Sequence, residues 1–171
     1  MLTTILCVVS MIGMGSCSDD EEVQKDSFNK AVSYSFELEY TKIDGTDNAN
    51  ISNATILYVD CQNKQVNKNI PLKSSSITYK SQSYTKLPGD LEVTVNECLI
   101  PDVDLNKDFY NIGMGLKFTL MTFDKDGDIV DFKVVENLST MAIEKANLSK
   151  LFPITSSFNY HIDANGRIQA K

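Results

Sequence analysis

Apolar and polar residues alternate with a period of two along most of this chain. The alternation is clearest in residues 32–40, where every second side chain is apolar: Val32, Tyr34, Phe36, Leu38 and Tyr40. Successive side chains of a β-strand point to opposite faces of the sheet. This segment therefore predicts a strand with one buried and one exposed face.

Similar patterns predict strands at 54–61, 66–72, 75–80, 91–95, 115–123 and 128–135, and a last pair around 158–162 and 167–169. Residues 124–127 and 163–166 begin with aspartate and end with glycine, which is typical of a type I turn closed by a glycine with positive φ. Pro88 and Gly89 predict a type II turn. About nine strands joined by such turns predict an all-β fold, an antiparallel β-sandwich of immunoglobulin-like or transthyretin-like type.

Two segments break the alternation. If the strand at 91–95 continued, Glu97 would fall on its apolar face and Cys98 on its polar face. A β-bulge near Asn96, or the end of the strand, would restore the pattern. Residues 139–151 have helical spacing with a proline just beyond, which predicts one short helix.

The charge and the aromatic content narrow the range of partners. The formal net charge is -7, of which four negative charges come from residues 19–22. No basic stripe is present, which argues against nucleic acid as a partner. The chain has no tryptophan, which weakens a carbohydrate-binding role. An exposed cluster among four tyrosines would favour such a role: Tyr58, Tyr79, Tyr84 and Tyr110.

No motif in the sequence indicates a catalytic residue, a bound metal or a cofactor. Asp124, Asp126 and Asp128 alternate as in a calcium-binding loop. That loop needs glycine where Ile129 stands and glutamate where Val135 stands, so the hairpin turn is favoured. The single histidine, within the strand predicted at 158–162, falls on the polar face, and no G-x-S-x-G motif accompanies it.

Cys61 and Cys98 are the two cysteines that lie within the predicted strand region. In an exported protein such a pair suggests a disulfide. A disulfide closing a loop of this length would stabilise the fold by about 3 to 4 kcal/mol. Two free cysteines in separate strands are the alternative, because the sequence cannot place the two thiols together.

The first residues suggest export from the cytoplasm. Residues 2–15 form an uncharged and mostly apolar run of 14 residues, which is shorter than the roughly 20 residues that a helix needs to cross a bilayer. A short apolar run that ends in small residues is typical of a cleaved export signal.

Residues Met14, Gly15, Ser16 and Cys17 resemble the lipobox of bacterial lipoproteins. That pattern consists of an apolar residue and two small residues before a cysteine. The resemblance implies that residues 1–16 are a signal peptide, that the chain is cut before Cys17, and that this cysteine carries fatty acyl chains such as palmitate.

A serine and a run of acidic residues follow at once: Ser18, Asp19, Asp20, Glu21 and Glu22. They resemble the surface-export signal of lipoproteins in the Bacteroidota. The resemblance implies a protein anchored in the outer membrane and facing the cell surface, with a periplasm-facing location as the alternative. The same charges would also suit an extended linker.

The chain thus divides into a signal peptide (1–16), a lipidated cysteine with an acidic tether (17–28) and one β-sandwich domain (29–171). We expect a membrane contact through the lipid anchor and a binding or accessory role toward a glycan or a protein. The alternatives are a small surface hydrolase or protease-related factor, and a subunit that donates or accepts a strand during assembly. A long uncovered edge strand would favour the last of these.

The lipobox yields a direct prediction. Replacing Cys17 with Ala (Cys17→Ala) removes the sulfur that would carry the diacylglycerol, so we expect the protein to leave the membrane fraction when cells are lysed and centrifuged. Labelling with palmitate should be lost in the same variant. A variant that stays in the membrane fraction and still incorporates palmitate would contradict lipidation at Cys17.

Overall fold

The computed structural model describes residues 30–171, which form two antiparallel sheets packed face to face. This arrangement confirms the predicted all-β sandwich. The signal peptide, Cys17 and the acidic run Ser18 to Glu22 lie outside the described residues. No helix within 30–171 has the length and the apolar character needed to cross a membrane.

The described residues contain nine strands and three short helical segments. The first sheet has four strands, in spatial order β4 (Ser76–Lys80), β1 (Ser33–Lys42), β6 (Phe109–Phe123) and β7 (Ile129–Glu144). The second sheet has five, in spatial order β3 (Gln65–Ile70), β2 (Ser52–Val59), β5 (Gly89–Leu99), β8 (Ile154–Ile162) and β9 (Ile168–Ala170). The helical segments are α1 (Asn48–Ile51), a 3-10 turn (Lys145–Asn147) and α2 (Leu148–Leu151).

Aromatic side chains from both sheets form the centre of the core. Phe36 of β1 and Phe118 of β6 alternate with exposed residues along their strands, as the period of two requires, and both are buried. Phe118 stacks on Phe158 of the opposite sheet with ring centroids 4.5 Å apart. Offset stacking of this kind adds about 0.5 to 1.5 kcal/mol beyond the burial of apolar area.

The helix predicted at 139–151 is wrong over its first half. Strand β7 continues to Glu144, and only residues 145–151 are helical. Residues 139–144 of β7 are each paired with a residue of β6, as Ala142 is with Asn111. Hydrogen bonding to a long neighbouring strand therefore outweighs the helical spacing of this segment.

Neither alternative considered for the break at Glu97 is found, because β5 has no β-bulge near Asn96 and continues to Leu99. Strand β5 pairs without a register shift with β2 on one side and with β8 on the other. Glu97 therefore keeps its inward position and is only 1% exposed, whereas Cys98 points to solvent. The break in the apolar–polar alternation at Glu97 therefore marks a buried carboxyl and not an irregular strand.

The two predicted Asp-to-Gly hairpin turns are confirmed. In each, the first aspartate accepts two backbone N–H groups: Asp124 Oδ1 from Asp126 and Asp128, and Asp163 Oδ1 from Asn165 and Arg167. Gly127 and Gly166 have φ near +90°. The carboxyl of Asp124 therefore serves the turn, in agreement with the hairpin interpretation.

A third turn of this kind joins β2 and β3. Asp60 Oδ1 accepts the N–H groups of Gln62 and Lys64, at 2.8 and 2.9 Å. Asn63 takes the left-handed position with φ of 63°. Asparagine tolerates this conformation better than most residues other than glycine, so the same turn forms without the glycine that marks it in a sequence.

The type II turn predicted at Pro88 and Gly89 is wrong. Gly89 is the first residue of β5 and does not have positive φ. A Cβ at this position would lie 2.7 Å from the hydroxyl of Tyr34. Glycine is therefore needed here for close packing against the tyrosine and not for its backbone freedom.

The turn glycines allow a matched test of backbone strain against steric overlap. Both have positive φ, but a Cβ on Gly127 would meet nothing within 4 Å, whereas a Cβ on Gly166 would lie 2.2 Å from Cβ of Ala31. We expect Gly127→Ala to lower the free energy of unfolding by about 1 kcal/mol, from backbone strain alone. Gly166→Ala should cost about 1 to 3 kcal/mol more because the overlap must be relieved. Urea unfolding followed by circular dichroism measures both, and equal losses would contradict the role of Ala31.

Candidate functional site

Strand β7 is a long edge strand. It spans 16 residues and pairs with β6 on one side. On its other side no strand of residues 30–171 pairs with it. Strand β9 reaches only its beginning, where the N–H of Ile168 donates to Asp131 Oδ2 at 3.0 Å.

The second half of β7 is exposed on both faces. Each of residues 136–142 is exposed, although those that face inward lie on the same face as the buried side chains of β6. On the outward face, Phe132 is 62% and Leu138 is 75% exposed. On the inward face, Met141 is 47% exposed. Native proteins usually shorten, charge or cover such an edge, so an uncovered one with apolar side chains is a candidate interaction surface.

A cleft separates β7 from the second sheet. Strand β9 pairs only with residues 160–162 of β8, so the edge of β8 over residues 154–158 also has no strand partner in the described part of the chain. Two cavities of about 90 and 400 Å³ lie between β7 and β8, and both are lined by Asn137 and Ser156. The open edges of both sheets therefore border one continuous cleft.

Glu97 lies at the inner end of this cleft and lines the smaller cavity. Its Oε1 accepts a hydrogen bond from Asn48 Nδ2 at 2.5 Å and a short one from Ser52 Oγ. Asn48 is in turn held in place because its Oδ1 accepts the backbone N–H of Gly113 at 2.9 Å. Helix α1 and the first residue of β2 thus present two polar side chains to a carboxyl that points inward from β5.

The second carboxyl oxygen, Oε2 of Glu97, has no hydrogen-bond partner among residues 30–171 and faces the cavity. The remainder of the cavity wall is mainly apolar, with Val95, Leu116 and Ile154 among its side chains. The cavity thus combines a single unpaired carboxyl oxygen with hydrocarbon walls.

Two opposing effects act on the pKa of Glu97. Burial, the larger effect, raises it, and the hydrogen bonds from Ser52 and Asn48 lower it in part. Ser52 Oγ contacts both Glu97 Oε1 and the backbone oxygen of Asn48, the latter at 2.9 Å, and shares its one proton between these two acceptors. The nearby Tyr40 has its pKa raised to about 12, chiefly by burial and then by Glu97.

The two cysteines are too far apart for the disulfide that the sequence suggested, so that suggestion is wrong. Cys61 is a free thiol in the turn after β2, and Cys98 is a free thiol at the far end of β5. Cys98 is paired with Asn53, eight residues before Cys61 along the strand direction. At roughly 3.3 Å per residue this separation is about 25 Å, whereas a disulfide needs Cα atoms within about 7 Å.

His161 lies on the outward face of β8, as its alternation predicts. Its Nδ1 is 2.8 Å from Asp90 Oδ1, and Lys171 Nζ is 2.8 Å from the other oxygen of that carboxyl. These bonds, first from Lys171 and then from His161, lower the pKa of Asp90. The group is a surface cross-strand cluster, and of its three members Lys171 alone also lines the larger cavity of the cleft.

The four tyrosines do not form an exposed platform. Tyr84 and Tyr110 are buried, and Tyr58 and Tyr79 are half-buried. Tyr84 donates to the backbone oxygen of Val59 at 2.7 Å, so its hydroxyl serves the fold. These four tyrosines therefore do not form the exposed cluster that would have favoured sugar binding.

Comparisons with known proteins do not identify a family for this chain. Neither family models, nor curated proteins, nor solved structures gave a match. The choice between an immunoglobulin-like and a transthyretin-like sandwich therefore stays a prediction.

The buried carboxyl predicts an unusual pH dependence of stability. Because the pKa of Glu97 is raised on folding, the folded state binds more protons than the unfolded state above the ordinary value of 4.5. Its contribution to stability is therefore full below that pH and is lost as pH rises through the folded pKa. Glu97→Gln mimics the protonated acid, so we expect it to be more stable than the wild type at pH 7.5 by on the order of 1 to 3 kcal/mol, and to lose this advantage near pH 4.

Urea unfolding at the two pH values measures this effect. Glu92→Gln is the matched control, because Glu92 lies on the exposed face of the same strand. A wild type whose stability changes with pH in the same way as that of Glu97→Gln would contradict the assignment.

Proposed function

We propose that this protein is an outer-membrane lipoprotein of the bacterial cell surface, anchored through Cys17, whose β-sandwich is a binding module for an extended polypeptide segment. The segment adds to the free edge of β7 as a further strand of the first sheet. The observation that carries this proposal is the uncovered edge of β7 over most of its 16 residues.

The main chain of β7 can provide the affinity. In an edge strand, every second residue directs its N–H and C=O groups away from the sheet. An added strand satisfies these groups, which is how several classes of peptide-binding domain hold an extended ligand. Strand β6 holds β7 in register over its whole length, with one irregularity near Phe123, so the binding edge is already ordered.

Side chains on both faces of β7 can provide selectivity. The outward face presents three apolar side chains, Phe132, Val134 and Leu138, with the charged Glu136 between the last two. The inward face borders the cleft in front of β8, which is large enough to receive side chains of the added strand. An extended segment with apolar residues at alternating positions would bury surface on both sides of the sheet.

A polypeptide suits this site better than a glycan. Strand addition depends on backbone N–H and C=O groups at the 4.8 Å spacing of a sheet, which a sugar chain does not offer. The tyrosines that would make a sugar platform are buried or half-buried. An assembly subunit would use the same uncovered edge of β7. In that case the added strand would come from a second copy of this chain.

Site-specific photo-crosslinking in intact cells tests the proposal. With p-benzoylphenylalanine in place of Leu138, we expect a covalent adduct whose partner peptides, identified by mass spectrometry, come from one continuous segment of one protein. Adding Val134→Lys should reduce the yield about tenfold, because a charge on the apolar face weakens strand addition.

Val59 provides the matched control position. It is 49% exposed and apolar, but lies in β2 in the other sheet. The same crosslinker there should give no such adduct. Equal adducts from both positions, or a yield unaffected by Val134→Lys, would contradict binding at β7. An adduct formed only with a second copy of this chain would show that the added strand comes from self-assembly and not from another protein.

A further inference from the structure

The geometry of the small cavity points to a second binding property, which does not depend on strand addition. We propose that the cavity beside Glu97 binds a primary alkylammonium group with a chain of about four carbons. Such a group belongs either to a free amine or to a lysine side chain of a bound polypeptide.

The carboxyl supplies the reason for a cation. Glu97 is 1% exposed, and its Oε2 faces the cavity without a hydrogen-bond partner in residues 30–171. No lysine, arginine or histidine is among the cavity-lining residues. An ammonium group is the donor that best satisfies a buried carboxylate, because it brings both a hydrogen bond and the missing opposite charge.

The walls supply the reason for an alkyl chain. Val95, Leu116 and Ile154 surround the approach to Oε2 with hydrocarbon, and Met141 stands at the mouth. A cavity of about 90 Å³ has room for several water molecules or for one short unbranched chain. Asn137, Ser139 and Ser156 also line the cavity, so its walls are mainly but not wholly apolar.

The bound state pairs two opposite charges. Glu97 holds the ammonium group as a carboxylate, and a proton carried by Glu97 before binding passes to solvent. Ser52 and Asn48 then donate to Oε1, and the ammonium group donates to Oε2.

Thermal unfolding of the full-length lipoprotein in detergent tests the proposal, with n-butylammonium chloride as the probe. We expect n-butylammonium to raise the melting temperature in a saturable manner, and 1-butanol, its neutral analogue, to raise it less. The apparent affinity for n-butylammonium should fall by at least about tenfold in Glu97→Gln, which keeps the side-chain shape but not the charge.

A pair of tryptophan variants checks the location without altering the carboxyl. Met141→Trp places a large ring at the mouth of the cavity and should abolish binding. Ala142→Trp adds the same ring on the other face of β7, away from the cavity, and should leave binding unchanged. Both positions are exposed, so neither variant disturbs the core.

The outcomes separate the two sources of the ligand. Stabilisation by lysine with acetylated amino and amidated carboxyl ends, in addition to n-butylammonium, would support a lysine side chain. Stabilisation by n-butylammonium alone would support a free amine. If n-butylammonium is no better than 1-butanol, or if its effect persists in Glu97→Gln or Met141→Trp, the proposal is wrong. None of these results depends on whether the crosslink at Leu138 forms.

Discussion

The stacking of Phe118 on Phe158 joins the two sheets, and the remainder of the described structure depends on this contact. Phe118 belongs to β6, which lies between β1 and β7, and Phe158 belongs to β8, which lies beside β5. Once these rings meet, the inward faces of all five strands are determined, because hydrogen bonding to its neighbour holds each strand in register. The apolar positions of one strand cannot then turn outward unless a bulge intervenes.

The buried position of Glu97 follows from that constraint. Strand β5 is paired on both sides, and a bulge at Asn96 would disturb its ladders with β2 and β8. Keeping the register requires burial of a carboxyl, and Asn48 and Ser52 compensate for part of that cost. One unpaired oxygen remains, and Glu97 lines the cavity on the side of the sandwich where β7 and the first half of β8 have open edges.

The sequence predicts the elements of the fold well and the site poorly, for a physical reason. Alternation and the Asp-to-Gly turns depend on nearby residues, so β1, β6 and two hairpins could be recognised from the sequence. Whether the strand at 91–95 continues regularly after Val95 depends on its hydrogen bonds with β2 and β8, which lie far away in the chain. The extension of β7 through residues 139–144 depends on β6 in the same way, since its local spacing is helical.

The candidate site combines several such long-range effects. Glu97 gave a signal in the sequence, because it interrupts an apolar alternation, but the donors that surround it come from α1 and the start of β2. The open edge of β7 gives no sequence signal of its own, because being an edge is a property of the sheet order. The distance between Cys61 and Cys98 is likewise set by the direction of β2 and β5.

The three aspartate turns mark the end of the domain that the proposed lipid anchor would hold. The turns that begin at Asp60, Asp124 and Asp163 all lie at one end of the sandwich, and the chain enters there, with the N–H of Ala31 bonded to the backbone oxygen of Asn165. An anchor at Cys17 would therefore hold this end nearest the bilayer. The Glu97 cavity, α1 and the exposed half of β7 lie toward the opposite end, which would be membrane-distal. A tether of about a dozen residues, up to roughly 40 Å when extended, would then raise the cleft above the lipid headgroups and leave it open to large molecules that approach from outside.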